Sequence, residues 1–313
     1  MKNFTIKTAA PSRLDELLRR ELPLFLNTDI SNGKIRRLII AGAVSVNGRQ
    51  CKIPSFNLKS GSSITAVIEE EKLFYEKDAG EINFVLTQKD VLFEDDDIIV
   101  VNKPAFFPTE AGMVKSRNNL HDAVVDYLHA KNPSLRNLPY VGIMHRLDKE
   151  TSGAILFTKT RTVNAACHDM FENRSVQKIY TALSVSSRHI EKKNFSVEFF
   201  MARVSPKSKA AKWGRVAETF KDAQWSKTNF RIISETPFKN KTLYKIECTL
   251  ETGRTHQIRV HLSDAGLPIL GDELYGGQSY QRIMLHAGTL IFPHPKTGSL
   301  IKVEAPLPEE FKI

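Results

Sequence analysis

The sequence predicts an α+β chain of two domains, a small helix-and-hairpin unit followed by a larger sheet-based one. Three observations carry that reading. The chain has 313 residues, about twice the length of a usual domain. Residues 1–70 hold two short amphipathic helical patterns and a tight hairpin signal. From residue 98 onward, short apolar runs alternate with Gly/Pro turns and only a few helical segments. The boundaries fall at a first domain over 1–70, a linker over 71–89 marked by the Gly80 break, and a second domain over 90–313. At 41% hydrophobic and 26% charged residues, the composition is that of an ordinary globular chain, large enough to bury a core without disulfides.

In the first block, Ser12 is placed to cap a helix carrying Leu14, Leu17 and Leu18, with Glu16 as its partner in the first turn. Ser31 caps a second helix, in which Ile35, Leu38, Ile39 and Ile40 form the apolar stripe, Lys34, Arg36 and Arg37 the exposed side, and Gly42 the stop. Val44-Ser45-Val46 then alternates as a strand into Asn47-Gly48, a strong hairpin signal, and Ile64 to Ile68 forms a last strand after Gly61.

In the second block, the acidic run Glu94 to Asp97 leads into Ile98-Ile99-Val100-Val101, a buried strand ending at Asn102-Lys103-Pro104. Leu120 to His129 reads as a helix after an Asn118-Asn119 cap. Val141 to Met144 and Ala154 to Phe157 are apolar strands separated by the polar turn HRLDKETSG. Gln177 to Leu183 is a strand, and Thr252 to Leu262 gathers two Arg and two His in a stretch that looks too polar for core. No solenoid repeat or low-complexity segment interrupts this order.

Charge is the compositional outlier. The formal net charge is +10 and the pI about 9.4, so polyanions are the expected partners. Eleven basic against six acidic side chains in residues 1–70 account for half of the excess. A second basic run, Arg203, Lys207, Lys209, Lys212, Arg215 and Lys221, is opposed by Glu218 alone and reads as a loop or strand edge facing a nucleic acid. Cys51, Cys167 and Cys248 form no ligand-spaced pair and fit buried thiols in a reducing compartment. The N-terminus lacks an apolar export segment and no run of about 18 apolar residues occurs, so the cytoplasm is expected and a membrane is not. His256 and His261 match no metal-binding motif, and the Gly-rich stretch 264–277 matches no nucleotide or redox-cofactor fingerprint; neither metal nor cofactor is expected.

Asp148 is the candidate reactive group. It lies between Arg146 and Lys149 and just before Thr151, Ser152 and Gly153, surroundings that favour the ionised form a nucleophile or base requires. The alternative is a turn aspartate bonded to its own backbone. No second acid stands nearby, which disfavours a glycosidase-type pair.

Four stretches, HRLDKETSG, KIYTAL, GRTHQIRVHL with PILGDELYGG, and LHAGTLIFPHP, together resemble the RluA family of pseudouridine synthases over residues 90–310. The run SRLDELL, GKIRRLIIAGAVSVNGRQ and LKSGSSI resembles the alpha-L RNA-binding module over residues 12–68. The resemblance implies a mixed, mainly antiparallel central sheet with flanking helices and a cleft across it. It implies conversion of uridine to pseudouridine in RNA without metal or cofactor, with ribosomal RNA of the large subunit favoured over transfer RNA. A non-catalytic RNA-binding or ribosome-assembly protein is the rival from another class, and a monomer is the default. By the same resemblance Asp148 acts on the nucleotide, Arg259 pairs with it, and Tyr180 stacks on the base or takes its proton. Arg146 is expected to fill the stack that the flipped base leaves, and Leu285 to pack against that base. Lys103, His145 and Arg254 are expected as phosphate or supporting groups. Arg13, Lys34, Arg36, Arg37, Asn47 and Arg49 are the RNA-facing positions of the first domain. AQWSKTNF departs from the usual family pattern, so 201–230 is the least predictable stretch.

Overall fold

The computed structural model describes residues 2–68, 82–111, 118–187, 189–206 and 211–312. The expected linker 71–89 therefore lies, up to residue 81, outside the described residues, as do Lys207 and Lys209 of the second basic run. The chain divides into two compact units, residues 1–78 and, apart from 206–210, residues 79–313.

The first unit runs β1 (Lys2–Lys7), β2 (Ser12–Arg13), α1 (Leu14–Leu26), α2 (Asn32–Ile40), β3 (Val44–Val46), β4 (Arg49–Gln50), β5 (Asn57–Leu58) and β6 (Ser63–Ile68). A four-stranded sheet has the order β1-β6-β3-β4, and β2 pairs with β5. Leu14, Leu18, Leu22, Ile35, Ile39, Val44 and Ile64 form its core. Ser31 caps α2 by accepting from Lys34 N–H. Asn47 (φ 52°) and Gly48 (φ 77°) both take the positive φ of a type I′ turn.

Two local expectations are corrected, and one strand is added to them. Ser12 does not cap α1: pairing with Leu58 holds it in strand geometry, its Oγ is buried without a partner, and Arg13 instead chelates Asp15 at 3.1 and 2.9 Å. Ile40 stands outside the apolar stripe at 57% exposure, because the next step of about 100° around the helix carries it past the buried Ile39. The strand β1 was not expected at all; it pairs with β6 over six residues and seats Phe4 edge-on against Phe25.

The second unit contains β7 (Val91–Glu94), β8 (Ile98–Lys103), α3 (Leu120–Lys131), β9 (Gly142–Ile143), β10 (Ser152–Thr158), α4 (Asn164–Glu172), β11 (Gln177–Ser186), β12 (Asn194–Arg203), β13 (Trp213–Val216), β14 (Gln224–Phe238), β15 (Lys241–Leu250), α5 (Gln257–Asp264), β16 (Leu285–Pro293) and β17 (Leu300–Glu304). Its sheet has the order β13-β12-β14-β15-β11-β16-β10-β8-β7, with β17 beside β16 and β9 beside β10. The expected mixed, mainly antiparallel sheet is present, with β10 and β16 as its parallel pair. Alternate residues of β8 and β10 explain their uninterrupted apolar runs. Ile99, Val101, Ile155 and Phe157 pack with Leu120, Val124 and Leu128 of α3, whereas Ile98, Val100, Ala154 and Leu156 pack with Cys167 and Met170 of α4. Both faces are covered, so neither needs polar residues. Asn119 caps α3 by accepting from Asp122 N–H at 3.0 Å. In the second basic run β13 is a sheet edge, as expected, and Arg215 lies over the Phe199 ring.

The β10–β16 contact fixes the strand that follows Asp148. Gly153 faces Ala287 there with φ +119°, and a Cβ on it would lie 2.2 Å from the Ala287 carbonyl oxygen. Gly153→Ala is expected to destabilise the protein by about 2–4 kcal/mol through overpacking and backbone strain, read as a lower midpoint in urea denaturation.

Candidate active site

The loop between β9 and β10 is tied down at almost every residue. His145 Nε2 accepts from Leu156 N–H at 2.9 Å. Thr109 Oγ1 donates to the Leu147 carbonyl at 3.0 Å and receives Leu147 N–H at 3.3 Å. Lys103 Nζ donates to the carbonyls of Pro104, Phe107 and Lys149 at 2.7–2.9 Å, and Arg282 Nη1 reaches the Glu150 carbonyl at 3.2 Å. Thr151 N–H closes the turn onto the Asp148 carbonyl at 3.1 Å. Asp148 is thus presented by a braced turn, with its side chain 30% exposed.

The opposite wall is the start of α5. Arg259, 6% exposed, donates through Nε and Nη2 to both oxygens of Asp272 at 2.6 and 2.9 Å, and through Nη1 to Asp148 Oδ2 at 3.2 Å. Asp272 is itself 1% exposed. The two-oxygen pair fixes the guanidinium and absorbs most of its charge, leaving one nitrogen to hold Asp148 without neutralising it. His256, in the left-handed region at φ 57°, lies 3.8 Å through Nε2 from the same Asp148 oxygen. Its Nδ1 contacts the Tyr275 hydroxyl at 2.8 Å, and that oxygen also accepts Trp213 N–H at 2.9 Å. Burial lowers the His256 pKa, so the ring faces Asp148 neutral. Asp148 Oδ1 has no hydrogen bond among the described residues and is the oxygen left for a ligand.

Asp148, His256 and Arg259 line a cleft of about 980 Å³ with Arg146, Arg174, Lys178, Tyr180, Arg254 and Leu285. Tyr180 is 8% exposed, and burial, with the Asp148 charge, pushes its hydroxyl upward, so the phenol stays protonated. Arg146 is exposed on the rim and paired with Glu110. The expected residues Asp148, Tyr180, Arg259, Arg146, Arg254, His145 and Leu285 therefore converge on one space.

Two expectations about them need correction. Lys103 is fully buried, and its three carbonyl partners match the three protons of an ammonium group; it cannot reach a phosphate and instead braces the Asp148 turn. Burial pulls its pKa down to about 7. His145 is likewise no phosphate ligand: its ring stacks on Phe171 at 4.8 Å and burial drops its pKa to about 3, leaving it neutral. The stretch 252–262 is also not too polar for core, since Gln257, Arg259 and His261 are all buried. Pairing removes the penalty. Both nitrogens of His261 meet hydroxyls, of Ser226 and Thr228, at 2.9 Å, and Gln257 bridges Thr252, Lys227 and Thr228.

Of the first unit's candidates, Arg36, Arg37 and Arg49 are exposed, while Lys34 is partly covered in the first turn of α2. Arg13 is held by Asp15, and Asn47 Oδ1 accepts Ser63 N–H at 2.8 Å, which gives Asn47 a turn-locking duty. The sequence reading assigned no role to His256, Asp272 or Tyr275. The usable signal was the polar density of THQIR and LGDELYGG, in which an aspartate sits beside turn glycines. Ligand-type side chains also cluster at Asp95, Asp97 and His294 and at His168, Asp169 and Glu172. In the former, His294 is committed to Asp95 and to two backbone N–H groups.

Residues 97–264 match the family described as RNA pseudouridylate synthase, more than half of the chain. The chain belongs to this family. Residues 27–64 match the S4 domain, which identifies the first unit as an S4-type RNA-binding domain. The chain is similar to ribosomal large subunit pseudouridine synthase C of Escherichia coli (strain K12), 31% identical over 97% of this chain and 92% of that protein. It is also similar to ribosomal large subunit pseudouridine synthase D of Pasteurella multocida, 32% identical over 96% and 89%. Among solved structures, human RNA pseudouridylate synthase domain containing 1 superposes with a TM-score of 0.56 at 25% identity, covering 74% of this chain and 86% of that one.

Asp272→Asn is expected to lower kcat for pseudouridine formation about 10²-fold with a smaller change in KM, because Arg259 loses the carboxylate that orients it against Asp148; steady-state kinetics on RNA checks this. The buried neutral histidines set an acid limit on stability. His145 drops to about 3, and His261 and His286 to about 4, from 6.5. Below pH 6.5 the unfolded chain takes up protons that the folded chain refuses. Stability should therefore fall by up to about 1.4 kcal/mol per pH unit for each histidine, seen as a melting temperature that drops between pH 6.5 and 5.

Proposed function

We propose that this protein isomerises uridine to pseudouridine in large-subunit ribosomal RNA, acting as a monomer in the cytoplasm on a nucleotide flipped into the cleft beside Asp148. The carrying observation is the Asp148 carboxylate, held at Oδ2 by Arg259 and open at Oδ1, on the floor of a cleft wide enough for a nucleotide. Buried free Cys51, Cys167 and Cys248 agree with a reducing compartment. Similarity to two ribosomal large subunit pseudouridine synthases over nearly the whole chain, S4-type unit included, supports the substrate.

The reaction breaks the bond between ribose C1′ and the base nitrogen, rotates the base, joins C1′ to a ring carbon and releases that carbon's proton. Asp148 Oδ1 is the group that attacks the nucleotide or removes a proton from its sugar. The Arg259 donor on Oδ2 keeps the carboxylate in place through both bond changes. Tyr180 supplies its ring face to the base. Its protonated hydroxyl favours that stacking duty over proton removal. Leu285, buried at 4% on the cleft wall, packs on the other part of the base. Flipping costs a few kcal/mol. Arg146 offsets part of it by leaving Glu110 and occupying the vacated stack. Arg36, Arg37 and Arg49 of the S4-type unit lie along phosphates, with Lys34 beside them.

Pseudouridine mapping of ribosomal and transfer RNA from cells lacking the gene, complemented with wild type or Asp148→Asn, tests the proposal. Sites in large-subunit ribosomal RNA should vanish, return with wild type and stay absent with Asp148→Asn. Loss confined to transfer RNA would overturn the substrate, and restoration by Asp148→Asn would overturn the role of Asp148.

A further inference from the structure

We propose that Arg174, Lys178 and Arg254 form a clamp for an RNA phosphodiester on the wall of the Asp148 cleft, with Trp225 holding the two arginines in place. The inference deepens the reading of the cleft as an RNA site and rests on it.

Three independent features of this wall point to an anion. The first is unbalanced charge. Arg174, Lys178 and Arg254 line the same cleft, yet none forms an ion pair with a carboxylate among the described residues. Three carboxylates of the cleft are engaged elsewhere, Glu110 with Arg146, Asp148 with Arg259 and Glu251 with Lys227, and the fourth, Glu172, lies 3.5 Å from His168. After burial, Arg174 is the next cause that lowers the Arg254 pKa, and Arg254 the next that lowers that of Lys178, as expected of like charges sharing one wall. A phosphodiester would relieve that repulsion.

The second is backbone strain at Arg174. Helix α4 ends in a Schellman turn, in which Ser175 N–H bonds the Met170 carbonyl at 2.8 Å and Arg174 N–H the Phe171 carbonyl at 3.4 Å. Arg174 occupies the left-handed position of that turn at φ 59°, where glycine is the residue of choice. An exposed arginine at a glycine position costs backbone strain that only its contact with one aromatic ring offsets, and a ligand is a physical reason to place a guanidinium there.

The third is Trp225, which lies in the AQWSKTNF stretch that departs from the family pattern. Its ring carries the Arg174 guanidinium at 5.2 Å, and its carbonyl accepts from Arg254 Nε at 3.3 Å. One residue of β14 thus gathers two cations that come from α4 and from the turn before α5. Lys178 completes the group from β11; a Cβ on Gly253, the neighbour of Arg254, would lie 2.9 Å from its Nζ. One arginine stacked on the indole and one held through Nε, each with its Nη groups turned to no carboxylate among the described residues, suit the tetrahedral oxygens of a backbone phosphate, which the strand flanking the flipped uridine supplies.

Filter binding of transcribed large-subunit ribosomal RNA across a salt series, with turnover measured on the same samples, tests the clamp. Arg174→Gly relieves the strained turn and should melt no lower than wild type. It should nevertheless weaken RNA binding about fivefold to tenfold and flatten the slope of log Kd against log salt by about 0.7–0.9, the share of one phosphate. Arg254→Gln should do the same, and Trp225→Leu should follow Arg174→Gly whereas Trp225→Phe, which keeps a ring, should fall between. Unchanged affinity and slope in both Arg174→Gly and Arg254→Gln would overturn the proposal. The same slope changes beside full turnover in Asp148→Asn would support the clamp and refute only the catalytic reading of Asp148.

Discussion

One buried chain of charges, Asp272 to Arg259 to Asp148, governs the catalytic unit. Burying an arginine costs several kcal/mol unless every donor is used, and here three of its nitrogens reach carboxylate oxygens. Two negative charges around one positive leave the group with net negative charge, concentrated on the one member open to the cleft. That asymmetry is what a reactive carboxylate needs: it is held, yet its charge is not spent. The placement of α5, the left-handed His256 before it and the 3₁₀ turn Glu273–Tyr275 after Asp272 follow from bringing these groups together.

The turn that carries Asp148 is rigid for a related reason. A loop buried against a sheet must find partners for its backbone groups, and this one borrows them from outside itself: the Lys103 ammonium, the Thr109 hydroxyl and the Arg282 guanidinium. Arg282 also holds Glu310 and Ser152, whose Oγ meets His286 Nδ1 at 2.9 Å. Positioning of a single oxygen thus draws on residues from β8 to the C-terminal turn.

Much of this organisation was legible in the sequence. Asn47-Gly48, the Ser31 cap, the Asn119 cap and the apolar runs 98–101 and 154–157 signal local structure through backbone preference and side-chain period, which need no partner to be read. Asp148, Tyr180, Arg259 and Leu285 stood out because the motifs that hold them are long and ordered. Ser12 misled because a cap signal lost to strand pairing with a residue 46 positions on. Lys103, His145, Gln257 and His261 misled in another way. Their polarity suggested exposure, but each had partners supplied by distant segments.

By itself, then, the sequence determined the local elements through periodicity and caps, and the family through contiguous motifs, whose resemblance implied the mainly antiparallel sheet and the residues of the cleft. Only the tertiary structure decided which of the many cations lines the cleft and which braces the fold. Lys103 and Arg174 are equally basic in the chain, yet one ends in a ring of carbonyls and the other over an indole at the rim of the cleft. Burial and partners give a charge its task, and these come from segments that meet only when the sheet has formed.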